Sequence, residues 1–393
     1  MERVKLRKTA RLLGGHRWVF SNELAKSPRG FAPGQLVELH DHGENFLGIG
    51  YINPDSLISV RVLTRIREPI DLAFFRKRIE AAMRFRERFL KNEQAVRLVY
   101  SEADGLPGLI ADRYGDVVVL QLLTAGMEAM KDLVLDAIDA LVRPRAIVLK
   151  NDSRSRALEG LPAYKEVARG ALDPLPVIGE DGVLFEIDPL GGQKTGFFLD
   201  QRENRLSFKG MLSGEPDGVG LDLFGYAGGW GLHLAHAGAR KVVLVDESEG
   251  ALARARKNAG LNGLEDKMEF VRADVFDFLE GEIRQGNARY DFIVMDPPAF
   301  VKSAKKIKEA VRAYTLLNSR CMRLLKPGGL LATSSCSYHL ARPEFLDMLR
   351  AAAKSAGGRD FLLVEQRFQG RDHPVLLSMP ESEYLKCAFL LAQ

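Results

Sequence analysis

From the N-terminus, apolar positions first recur in short runs broken by turn residues. PGQLVEL (33–39), FLGIGYI (46–52) and SLISVRVL (56–63) alternate or run apolar between Pro, Gly, Asn and Asp. That texture predicts a small β-barrel from Val4 to about Thr64. The period then lengthens. Leu72, Phe75, Ile79, Ala82, Met83, Phe89 and Leu90 fall at three-to-four spacing with arginines between them, so a helix is expected from Leu72 to about Asn92. AVRLVYS, GLIADRY, DVVVLQLL and RAIVLK between residues 95 and 150 read as strands, and MEAMKDLVLDAIDALV as a helix, an α+β unit. Residues 151–180, rich in Pro, Gly and Arg, read as a linker.

From about Gly182 the alternation is strand, helix, strand. GVGLDLFG, RKVVLVDES, MEFVRAD, YDFIVMDPP and GGLLATSSC are the expected strands. Helices are expected at Trp230–Ala237, Gly250–Asn262, Val275–Leu279 and Lys305–Leu325. Such alternation predicts an α/β fold, a doubly wound, mostly parallel, Rossmann-like sheet. The expected domains are 1–68 (barrel), 69–180 (α+β) and 181–393 (doubly wound). The length of 393 residues also calls for two or three domains.

Composition narrows the class. No apolar run approaches the roughly 18 residues of a membrane span, so no membrane partner is expected. The basic start MERVKLRKTARLLGG lacks the apolar block of a secretory signal. Cys321, Cys336 and Cys387 lie far apart in no metal-like pairing, which points to reduced thiols, a cytoplasmic location and no metal. The net charge of +4 is uneven: residues 1–97 hold 19 Lys+Arg against 11 Asp+Glu, the remainder 37 against 41. A basic front on a near-neutral body suits a polyanion held by salt-sensitive attraction, or simply a solvated helix face around Arg76 to Lys91.

Three strings carry candidate chemistry: DLFGYAGGWG (222–231), VMDPPAF (294–300) and TSSCSYH (333–339). Ligands of a doubly wound sheet sit beyond the carboxyl ends of its strands, where strand order reverses. Gly225, Gly228 and Gly229 would let a cofactor approach backbone, although a glycine loop can be only a turn. Asp246, 24 residues after Asp222, ends the next strand and could accept ribose hydroxyls. Asp274 could take an adenine amino group beside Val275 and Phe276, or these carboxylates could be helix caps. The spacing G-x-x-G-G-x-G and the leading Asp222 disfavour a pyrophosphate. An ammonium-bearing sulfonium nucleoside, S-adenosylmethionine, fits better than NAD.

Asp296 precedes Pro297 and Pro298, which lack N–H donors and leave carbonyls free to accept from a base, or else form a rigid exit turn. Cys336 ends the next strand 40 residues on, and its neighbours Ser334, Ser335 and Ser337 predict an accessible loop. Cys321 and Cys387 read as core; His339 either assists Cys336 or caps the turn. A thiolate that adds to carbon 6 of cytosine makes carbon 5 nucleophilic, and a carboxyl at ring nitrogen 3 stabilises the charge that develops. Phe300 or Tyr338 could stack on that base.

Nearly the whole chain resembles bacterial 23S rRNA cytosine-5 methyltransferases of the RlmI type. GHRWVFSNEL and PGQLVELHD resemble that family's PUA RNA-binding domain, and SEADGLPGLIADRYGDVVVLQLL its central domain. GGQKTGFFLDQRENR, DLFGYAGGWG, VMDPPAFVKS and SSCS resemble its catalytic motifs. The resemblance implies Cys336 as nucleophile and Asp296 as the acid that binds the base. It places Phe224, Gly225, Asp246 and Asp274 along the cofactor, with Lys194, Thr195 and Asp200-Gln201-Arg202 near its methionine end or the substrate. Ribosomal RNA as partner and a homodimer follow from the same resemblance. FGYAGGW departs from the family's F-S-Y-T-G-G-F at Gly225 and Ala227, a change expected to bear on cofactor affinity rather than on the reaction. No second cysteine adjoins Asp-Pro-Pro, so product release must proceed without one. Competing readings are another acceptor (uracil, a tRNA, a guanine ring nitrogen) and a non-catalytic assembly factor that binds the cofactor structurally.

Overall fold

A computed structural model describes residues 1–393 apart from 92, 213–216, 287 and 301–306. The chain divides into two compact units. The first comprises Met1–Ile178, Ile187–Leu199 and Arg371–Ser382; the second comprises Gly179–Glu186, Asp200–Gly370 and Glu383–Gln393.

The first unit holds two five-stranded sheets. One runs Glu2–Lys5, Gln35–His40, Phe46–Ile52, Val60–Thr64, Trp18–Val19 across its width, around a core that includes Leu6, Val37, Leu39 and Val62. The other runs Tyr164–Gly170, Ala146–Asn151, Val117–Leu122, Leu109–Tyr114, Ala95–Tyr100. The expected linker therefore contains an edge strand, Tyr164–Gly170, antiparallel to Ala146–Asn151. Its side chains are mostly exposed or half-buried, which is why YKEVARG lacks an apolar pattern. The helix expected from residue 72 spans Leu72–Phe89, capped by the Asp71 carboxylate on Phe74 N at 3.0 Å. The second helix is split at Met130 into Ala125–Ala129 and Lys131–Val142.

The sequence boundary at residue 68 crosses a shared interior. Tyr51 and Leu63 of the first sheet pack in the same cluster as Phe75, Ile79, Leu98 and Leu120. The Tyr51 hydroxyl donates to the Pro107 carbonyl at 2.6 Å, and the buried Arg61–Glu159 pair closes to 2.8 Å. Contacts of this kind make residues 1–178 one packing unit.

The second unit is built on a seven-stranded sheet. Its strands lie in the order Met268–Arg272, Lys241–Asp246, Val219–Leu223, Tyr290–Met295, Leu325–Ser335, Lys386–Ala392, Phe361–Phe368. The first five pair in parallel and the last two are antiparallel. KVVLVD and YDFIVM are near-continuous apolar runs because helices cover both faces of a parallel sheet. Helices Gly229–His236, Glu249–Leu261, Val275–Arg284 and, in its described part, Ile307–Leu324 match the expected segments; residues 305 and 306 lie outside the described residues. Arg342–Ser355 and Phe361–Phe368 had no counterpart in the sequence reading; three residues in a row of that strand, Leu362 to Val364, are exposed. No described helix is long and apolar enough to cross a membrane.

Register fixes the site. Leu223 pairs with Val245 on one side and Met295 on the other, and Met295 pairs with Thr333. The glycine loop, Asp246, Asp296 and Cys336 therefore leave one rim of the sheet, at the point where strand order reverses.

Candidate active site

The glycine loop is strained at residues other than its glycines. Phe224 and Tyr226 have φ of +61° and +48°, and Gly228, at φ +87°, precedes the helix Gly229–His236. Left-handed backbone costs a non-glycine residue roughly 1–2 kcal/mol. Hydrogen bonds hold it: Tyr226 N donates to Asp246 Oδ2 at 3.0 Å and Gly228 N to the Gly225 carbonyl at 2.8 Å. Gly225 sits in close quarters. A Cβ there would stand 2.5 Å from Leu244 Cγ and 3.0 Å from Asp222 Oδ2.

Asp222, expected from sequence along the cofactor, does not reach the surface. It is fully buried behind the backbone of Gly225 and Gly231, and its Oδ2 accepts from Gly231 N at 2.7 Å. Its Oδ1 is buried with no hydrogen-bond partner. Burial, then the charges of Asp296 and Asp246, push its carboxyl up to about 8. Asp246 is half-buried, holding the loop through Tyr226 N and accepting from Ser248 N at 2.9 Å through Oδ1. Asp274 is exposed and caps the helix Val275–Arg284, its Oδ1 accepting from Phe276 N at 2.8 Å and Asp277 N at 3.2 Å. The cap reading of Asp274 thus holds, and it leaves Oδ2 outside those bonds. Val275 is buried core, whereas Phe224, Phe276 and Phe300 are half-buried around it. Carboxylates beside aromatic faces suit a cationic nucleoside such as S-adenosylmethionine: acceptors for hydroxyl and amino groups, and no basic side chain in the loop for a pyrophosphate.

Asp296 and Cys336 are brought together. Cys336 is half-buried, and its Sγ lies 3.8 Å from the carbonyl oxygen of Pro297, a carbonyl next to Asp296. The flanking serines are not surface residues: Ser334, Ser335 and Ser337 are buried at 1%, 0% and 0% exposure. They are small so that the strand end can pack, and only the thiol position opens. Asp296 is held at both oxygens, Oδ1 by Gln201 Nε2 at 2.8 Å and Oδ2 by Trp230 Nε1 at 3.2 Å. Gln201 Nε2 also donates to Ser334 Oγ at 3.0 Å, so one amide ties the Asp-Pro-Pro strand end to the cysteine strand end.

Lys386 lies beneath the same turn, and pattern alone does not single it out. It is buried opposite Ser335 in the antiparallel pairing, and its Nζ donates to the carbonyls of Ser337 at 2.6 Å and Tyr384 at 2.8 Å. Burial brings its ammonium down to about 8, opposed first by the neighbouring Cys336 and then by Glu383 and Glu344. A lysine inside the apolar segment YLKCAFLLA was the available signal. Tyr314, raised above its ordinary value by burial, shares a 2.9 Å hydrogen bond with Ser337 Oγ.

The remaining expected residues lie as follows. Phe300 stacks among protein rings, 4.8 Å from Tyr314, 6.2 Å from Phe276 and 6.4 Å from Phe224. Tyr338 is exposed and meets His339 edge-on at 5.2 Å. Arg202 is buried at the start of the helix Arg202–Met211. Lys194 and Thr195 belong to the first unit. There Thr195 is buried, its hydroxyl donating to Asp112 at 2.5 Å and 2.8 Å from the Tyr114 hydroxyl, and Lys194 Nζ sits 4.3 Å from the Phe198 ring centre. The Thr195 hydroxyl is thus committed within that unit. Val301, Lys302 and Ser303 of the VMDPPAFVKS motif lie outside the described residues. Cys321 and Cys387 are fully buried, as expected of core thiols, and burial pushes Cys387 up to about 12.

Residues 3–65 match the model of a PUA-like domain, and residues 132–372 that of the S-adenosylmethionine-dependent methyltransferases. Fold and rim together define an S-adenosylmethionine-dependent methyltransferase with a PUA-like N-terminal domain. Proteins named ribosomal RNA large subunit methyltransferase I are similar along almost their whole length. Those of Cronobacter sakazakii and Klebsiella pneumoniae strain 342 are each 39% identical over 380 residues, covering 95% of this chain and 95% and 94% of theirs. The chain belongs to the ribosomal RNA large subunit methyltransferase I family. Among solved structures, a candidate methyltransferase from Streptococcus mutans superposes over 100% of both chains with a TM-score of 0.84 at 21% identity. Another candidate methyltransferase, solved with SAH, does so at 0.85 and 21%. At that identity the likeness concerns the fold.

Proposed function

We propose that this methyltransferase acts on large-subunit ribosomal RNA, the substrate in its relatives' name, and forms 5-methylcytidine in 23S rRNA through a covalent Cys336 adduct. The observation that carries the reading is the half-buried Cys336 thiol at the Pro297 carbonyl, one strand from an Asp296 whose two oxygens are fixed by Gln201 and Trp230. A base acceptor and a soft nucleophile on adjacent strand ends are what carbon 5 chemistry on a pyrimidine needs; a ring-nitrogen acceptor would leave the thiol without a task.

S-adenosylmethionine, when bound, supplies an electrophilic methyl group; Phe224, Gly225, Asp246 and Asp274 would hold it. The Cys336 thiol loses its proton and the thiolate adds to carbon 6 of a flipped-out cytosine. Electrons of the 5,6 double bond move into the ring, where a proton shared between Asp296 and ring nitrogen 3 offsets the developing charge, and carbon 5 becomes nucleophilic. With carbon 5 methylated, loss of its proton returns an electron pair to the 5,6 bond and expels the thiolate. Gln201 and Trp230 keep Asp296 aimed throughout.

In this reading the chain works in three parts: residues 1–68 grip RNA, 69–180 extend that surface, and 181–393 carry the chemistry. RNA affinity then falls steeply with added salt. The test is transfer of labelled methyl from S-adenosylmethionine to 23S rRNA, free and in subunits, followed by nucleoside analysis. Label in 5-methylcytidine is the expected result. Label in uracil or guanine, or none in any assembly state, overturns the proposal.

A further inference from the structure

We propose that Lys386 is the positioning residue and fixed counter-charge of the Cys336 thiolate. The inference rests on the reading of Cys336 as nucleophile and deepens it. Lys386 is buried at 3% exposure, where an ammonium persists only with acceptors and an anion close by. Two of its three donors are spent on backbone, the Ser337 and Tyr384 carbonyls at 2.6 and 2.8 Å. The first of these belongs to the residue directly after Cys336, so the ammonium fixes the turn that presents the thiol. The strand pairing Ser335↔Lys386 and Ser334↔Cys387 places Lys386 at the last rung before Cys336 leaves the sheet.

Among the described residues, the acidic groups that act on this ammonium are Cys336, Glu383 and Glu344. Glu383, from the segment before its strand, and Glu344, from the helix Arg342–Ser355, both favour its charge, but after Cys336. Both also have other partners. Glu383 takes two bonds from Arg342 at 2.6 and 2.5 Å, and Glu344 accepts from Ala341 N at 2.8 Å. Tyr314 bonds Ser337 Oγ and is held neutral by burial. The sulfur at position 336 is thus the anion this cation best serves. A nearby lysine favours thiolate over thiol, whose proton leaves to water before the sulfur adds to carbon 6.

The test needs neither RNA nor turnover. Alkylation of Cys336 by iodoacetamide in the intact chain is followed against pH by mass spectrometry of its peptide; the buried Cys321 and Cys387 react slowly by comparison. The wild-type midpoint is expected below the ordinary thiol value of about 8.5. Lys386→Met is expected to raise it by about one pH unit, roughly tenfold slower alkylation at pH 7, with Lys386→Arg restoring most of the shift. A folded Lys386→Met protein with the wild-type midpoint overturns the proposal, as does a wild-type midpoint at or above about 8.5, which needs no variant to fold. If Cys336→Ala retained full methyl transfer, the nucleophile reading would fall, whereas the measured thiol–ammonium coupling would still stand.

Discussion

Asp222→Asn isolates the buried carboxyl behind the glycine loop. In the folded protein this group titrates at about 8, against an ordinary value of 3.8, because it is fully buried near Asp296 and Asp246. Between those values the native state holds a proton there that the unfolded chain has lost. Stability therefore falls as pH rises from about 4 to about 8, by up to about 1.4 kcal/mol per pH unit from this one group. The whole penalty, at most about 6 kcal/mol, is present above pH 8 and absent below pH 4. Asparagine keeps an oxygen for Gly231 N and cannot ionise. Its amide brings a donor to the place where Oδ1 has no partner, a cost of about 1–3 kcal/mol that does not vary with pH. Equilibrium urea unfolding of both proteins from pH 5 to pH 8, without ligand, gives the difference. The variant should gain on the wild type steadily with pH, with a limiting slope near 1.4 kcal/mol per unit. Parallel curves would refute the raised carboxyl and its assignment to burial beside Asp296 and Asp246.

Other outcomes follow from the same geometry. Gln201→Ala removes the donors to Asp296 and Ser334 and should slow methyl transfer about 10- to 100-fold while leaving S-adenosylhomocysteine binding, read by calorimetry, nearly unchanged. Gly231→Ala places a Cβ 2.9 Å from Asp222 Oδ2, so despite alanine's better helix propensity it should lower the melting temperature and weaken cofactor binding. Glu180→Gln keeps one acceptor for Arg205 but replaces the other, 2.7 or 2.8 Å from the guanidinium, with an amide donor. It also removes the buried carboxylate charge, and should cost about 3–5 kcal/mol at pH 7 by urea unfolding. The Glu180 carboxyl is held down to about 2 by Arg205 and His233 against the cost of burial. Its contribution is therefore complete above about 4.5 and is lost as pH falls toward 2, so the variant's deficit should shrink on acidification.

The rim of the catalytic sheet was legible because each part of it announces itself locally: an apolar run, then glycines, a carboxylate or a thiol. Adjacent parallel strands then bring Asp296 and Cys336 to one edge whatever the loops do. Two edge strands were not legible. Tyr164–Gly170 buries little and its YKEVARG lacks an apolar pattern, and Phe361–Phe368 turns Leu362 to Val364 outward, so its apolar run marks no core. The packing of residues 1–178 as one unit depends on Tyr51, Leu63 and Arg61 crossing to the second sheet, and no local pattern records such partners. The supports of the site were only partly legible for the same reason. The resemblance placed Gln201 near the cofactor or substrate, but not its reach to Asp296 across 95 residues, and Lys386, which reaches Ser337 across 49, was not singled out. The place of Asp222 in the motif is visible in sequence, whereas its burial behind Gly225 and Gly231 is a property of packing.

Covalent capture tests the central claim most directly. A fluorine at carbon 5 cannot leave as the proton does, so RNA bearing 5-fluorocytidine halts the reaction with the enzyme still attached. Incubated with S-adenosylmethionine and such RNA, the wild-type protein should form a denaturation-resistant complex whose cross-linked peptide contains Cys336, and Cys336→Ala should form none and methylate nothing. A complex attached through another residue, or methylation surviving in Cys336→Ala, would contradict the account.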